Sequence, residues 1–76
     1  MSDLNQLAKS NKPWAAQRAQ LALDLQDQLA RGDLTKDEYK ELLEDLVRSD
    51  RLDAEADDMH TKAMLVSAIY VLAQVA

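Results

Sequence analysis

Among the residues whose types and spacing allow chemistry, Asp57 and His60 stand first. In the pattern Asp57-x-x-His60 a helix would carry a carboxylate and an imidazole on one face, one turn apart. That is half of a carboxylate-bridged metal motif. A di-metal bundle needs several inward carboxylates and two such histidines, and this chain of 76 residues has one histidine. Only a symmetric dimer would double the set. The pair sits in a charge-rich stretch with the look of a helix start, where an acid beside a histidine is ordinary. Asp53-x-Glu55-x-Asp57 lacks the glycine and the terminal glutamate of a calcium loop. The absence of cysteine removes disulfides and thiolate zinc sites together. There is no Ser–His–acid arrangement and, with a single glycine, no phosphate-cradling loop. Met59 and Met64 read as core filling rather than as a recognition groove. The sequence thus predicts no catalytic residue, no metal, no cofactor and no enzyme.

A nucleic-acid reading is tested by charge. A junction containing Gly32 precedes a helix over 36–48, in the manner of a DNA-binding helix–turn–helix, yet that helix holds five acids against three bases. Phosphates would repel it. The formal net charge of −5 is concentrated: residues 24–58 carry thirteen acids and five bases, whereas 1–23 are net +2 and 59–76 hold only Lys62. The acidic middle argues against nucleic acid and against an anionic membrane surface. It leaves one alternative of its own, an acidic adaptor or inhibitor that occupies a basic site on a partner enzyme or nucleic-acid-binding protein.

The elements that would position these residues are helical. One Gly, one Pro and three aromatics favour helix over sheet. The sharpest local signal is Gly32-Asp33-Leu34-Thr35-Lys36-Asp37-Glu38-Tyr39. Gly32 is placed as a left-handed stop after a helix ending near Arg31, a residue that suits the negative end of the helix dipole. Thr35 and Glu38 form a capping box, with Leu34 and Tyr39 at the positions of a hydrophobic staple.

Residues 1–12 read as a flexible arm, or at most one or two helical turns carrying Leu4, Leu7 and Ala8. Ser10 and Asn11 before Pro13 mark the start of a helix to about Arg31. Its wheel gathers Trp14, Leu21, Ala22, Leu25 and Leu29 as the core side, with Ala15, Ala16, Ala19 and Leu23 as a second, shallower face. Asp27 and Arg31 are spaced as an ion pair. Trp14 is either an anchor for a partner or the largest core residue. A second helix from Lys36 to about Ser49 has a clean stripe of Tyr39, Leu42, Leu43, Leu46 and Val47 opposite a charged face. A kink or turn is expected over 49–53. A third helix follows from about Ala54 to Ala76.

That last helix changes character midway. From Ala63 onward it has no charge, and only Ser67 and Gln74 are strongly polar. Two apolar faces coexist: Met59, Ala63, Val66, Tyr70 and Ala73 on one, and Leu65, Ile69, Leu72 and Ala76 on the other. A helix apolar all round must be buried all round, and this one is short of the roughly 20 residues that a bilayer needs. Two preceding helices cover two of its sides, leaving a third to a partner.

The expected fold is therefore all-α: a helical hairpin (about 13–31 and 36–49) plus an apolar C-terminal helix (about 54–75), one domain over 13–76, completed by oligomerisation or by a partner. The expected function is that of a non-enzymatic structural or assembly protein. It would bind a protein partner, as a homo-oligomer or within a larger assembly, through Met59, Ala63, Leu65, Val66, Ile69, Tyr70, Leu72 and Ala73. No motif assigns a family. In general style, a short acidic helical chain without cysteine, it resembles small phage or bacterial accessory proteins, which would imply a virion or assembly component. The first residues show no signal-peptide pattern, so a cytoplasmic setting is expected, within or outside a larger particle.

Overall fold

The computed structural model describes residues 3–48, 52, 54 and 56–75, and all regular structure among them is helical. Four helices follow in order: α1 over Asp3–Ala8, α2 over Pro13–Ala30, α3 over Lys36–Arg48 and α4 over Met59–Val75.

Local chemistry sets most of the boundaries. Pro13 occupies the first turn of α2, where its missing N–H costs nothing. The Ser10 hydroxyl accepts from the Lys12 N–H at 3.1 Å, which turns the chain into that helix. At the far end Gly32 adopts φ +80°. Its N–H bonds to the Leu29 carbonyl at 3.1 Å, and the Asp33 N–H reaches back to the Gln28 carbonyl at 2.9 Å. These paired bonds are a Schellman stop. The capping box closes as the spacing requires: Glu38 N–H donates to Thr35 Oγ1 at 3.1 Å, and Thr35 N–H donates to Glu38 Oε1 at 3.0 Å. Those bonds favour the charged carboxylate and hold the Glu38 pKa below its ordinary value. Arg31 closes α2 as its C-cap, and its guanidinium reaches forward to Asp33 (Nε–Oδ2 3.6 Å), outside the expected spacing with Asp27.

The later boundary differs from the sequence reading. Ala54 is helical, but residues 56–58 leave the helical conformation, and α4 begins at Met59. Asp58 explains the position. Its carboxylate accepts from the N–H groups of His60 (3.0 Å) and Thr61 (3.4 Å) and from the Thr61 hydroxyl (2.8 Å), so it caps α4 rather than lying in its first turn. The expected kink over 49–53 lies outside the described residues, apart from Leu52, which is helical and fully buried.

The core draws on every helix: Leu4 and Leu7 from α1, Trp14, Ala15, Ala19 and Ala22 from α2, Tyr39 and Leu43 from α3, Leu52, and Leu65 and Ile69 from α4. Two expectations change here. Residues 3–8 form a helix of the one or two turns that were allowed, but in place of a flexible arm it is docked, with Leu4 and Leu7 buried and α1 packed against both α2 and α4. The radius of gyration, 11.7 Å, is close to the about 11.4 Å expected for a compact chain of this length, consistent with that docking. On α2 Trp14 and Ala22 of the expected core side are buried, but Ala15 and Ala19, read as the shallower face, are fully buried beside them while Leu21 is half exposed. α2 has α1, α3 and α4 as neighbours, and small side chains at spacings of four and three residues let helix backbones approach closely.

Two stability measurements follow. A Cβ added at Gly32 would meet nothing within 4 Å, so Gly32→Ala is expected to cost only the left-handed backbone penalty, about 1–2 kcal/mol. Thr35→Ala is expected to cost about 1 kcal/mol. Urea unfolding should show both as lower midpoints with unchanged slopes.

Candidate interaction surface

The site is built on α4, and its geometry starts at the segment before it. Asp57, two-thirds exposed, accepts from the indole N–H of Trp14 at 3.1 Å and pairs with the Lys12 ammonium at 3.3 Å, both through Oδ1. The start of α2 is thereby tied to the start of α4 across 43 residues of chain. The Trp14 hydrogen bond, then the Lys12 contact, hold the Asp57 pKa below its ordinary value. Bonds from Thr61 and His60 lower that of Asp58. Trp14 itself is 5% exposed, with its one polar atom satisfied. It belongs to the core, and the reading of Trp14 as an anchor for a partner is set aside by that burial.

Asp57 and His60 have separate surroundings. The Asp57 carboxylate faces Trp14 and Lys12, and the Asp58 carboxylate is used in capping. His60 is exposed in the first turn of α4. Among the described residues no group of three or more His, Cys, Asp or Glu side chains is placed to hold a metal ion.

The structure then sorts the two apolar faces of α4. Leu65 and Ile69 lie in the chain's own core, at 0% and 1% exposure. These two expected interface residues are spent on folding. Val66, Leu72 and Ala73 are half-buried against that core, as are Met64 and Ala68. Three helices touch α4 where two were expected, since α1 joins α2 and α3.

One face is still uncovered. Met59 is 74% exposed, Tyr70 45%, Val71 53% and Val75 75%. Ala63, Ser67 and Gln74 are exposed between them. On a wheel of about 100° per residue, Met59, Ala63, Ser67, Tyr70, Val71 and Gln74 form one continuous stripe, with Val75 at its edge. The stripe therefore retains Met59, Ala63 and Tyr70 from the predicted set. It gains Val71 and Val75, which the sequence reading left off both faces. Their wheel positions next to Ser67 and Gln74, the two polar residues of the run, are the signal that would have found them.

Comparison with known proteins returns no matching family model, curated protein or solved structure. The surface is therefore read from its own chemistry. From Ala63 to Val75 the helix has no ionisable side chain except the phenol of Tyr70. Among the described residues no helix is long and apolar enough to cross a membrane. The other candidate, the outer side of α3, is mixed in charge: Glu44 is engaged with Arg48 at 2.7 Å, while Lys36 and Lys40 lie among Asp37, Glu38, Glu41 and Asp45.

The carboxylate contacts set an acid response. Glu38, Asp57 and Asp58 all have depressed folded pKa values. Their stabilising contributions are intact above the ordinary carboxylate range and are lost as the pH falls through the depressed values. Thermal midpoints are expected to hold near neutrality and decline in acid. Asp57→Ala should flatten part of that decline and change the Trp14 fluorescence at pH 7 with helix content unaltered; an unchanged emission spectrum would count against the indole contact.

Proposed function

We propose that this is a non-enzymatic structural or assembly protein that works by protein–protein interaction through the uncovered face of α4. The observation that carries the reading is the exposed stripe of Met59, Tyr70, Val71 and Val75 on a helix whose opposite side is already in the core. Scattered exposed apolar residues are common on protein surfaces. Here they are aligned along one helix whose run from Ala63 to Val75 lacks the charged side chains which normally solvate an outward face. The expected arrangement, helices over 13–31 and 36–49 with the apolar C-terminal helix laid against them, is part of this reading: α2 and α3 form a platform that holds α4 with one side outward. A structural role in a larger particle, such as a virion or assembly component, fits the same surface.

The acidic-adaptor alternative draws support from α3, whose exposed Asp37, Glu38, Glu41 and Asp45 face solvent. The two readings separate by experiment. Bait protein is used to capture partners from the native host in three forms: wild type, Tyr70→Asp/Val71→Asp, and Glu41→Lys/Asp45→Lys. Both substituted pairs are exposed, so helix content and thermal midpoint should match wild type. Loss of the bound partner in the α4 variant alone is the expected result. Loss in the α3 variant alone would replace the assembly reading with the adaptor. As a control on burial, Leu65→Ala is expected to destabilise the fold by about 2–5 kcal/mol without addressing the surface.

A further inference from the structure

We draw no further inference here: the strongest candidate, the exposed stripe of Met59, Tyr70, Val71 and Val75 along α4, belongs to the surface already described, and nothing in the structure shows what covers it.

Discussion

A helix that is apolar on every side has to be covered on every side, and the rest of this chain is arranged around how far that can be done. α4 offers Leu65 and Ile69 to the interior and is flanked by half-buried Met64, Val66, Ala68, Leu72 and Ala73. Among the described residues α1, α2 and α3 all pack against it. Each of Met59, Tyr70, Val71 and Val75 remains substantially in water, at a cost that burial would recover at about 25 cal/mol per Å² of apolar surface. That unrelieved surface is what the proposed interaction would cover.

Covering even three sides of α4 places a demand on α2. It must touch α1, α3 and α4 at once. A helix with leucines on all those sides would hold its neighbours apart. Ala15, Ala19 and Ala22 resolve the conflict by contributing little more than backbone to the contacts. Trp14 supplies bulk at one end, and its indole N–H is satisfied by Asp57 without burying a charge. The large residues of α2 sit beside the alanine strip and not within it: Leu23, Leu25 and Leu29 pack from the margin, and Leu21 is half out in solvent.

The difference between what was legible and what was not follows from range. The Gly32 stop and the Thr35–Glu38 box depend on atoms within six residues of one another, and the sequence reading placed both correctly. The start of α2 at Pro13 was equally local. The side of α2 that goes inward was legible in part: Trp14 and Ala22 lie on it as expected. The burial of Ala15 and Ala19 over Leu21 was not, because a wheel ranks side chains by hydrophobicity, whereas the choice here was made by how close the neighbours must come. The role of residues 3–8 was hidden for a similar reason. Six residues cannot hold a helix alone, and Leu4 and Leu7 acquire their meaning only against α2 and α4. Asp58 as a cap was obscured by company: with Asp53, Glu55 and Asp57 nearby, composition alone does not say which acid ends the break. For the surface, the apolar character of α4 was readable, but the division between core face and outward face required knowing where α1 lies.

The contact between α1 and α4 joins the two ends of the described chain. It closes a loop of about fifty residues, and closing a loop carries an entropy cost that grows only slowly with its length. Once that cost is met, α1 cannot leave without uncovering Leu4 and Leu7, and α4 cannot leave without exposing one side of α1. The outermost elements thus hold each other, and the α2–α3 turn, though it is the best-formed local structure, has no separate existence as a folded unit. Melting of this chain is expected as a single cooperative transition, as for most domains of this size.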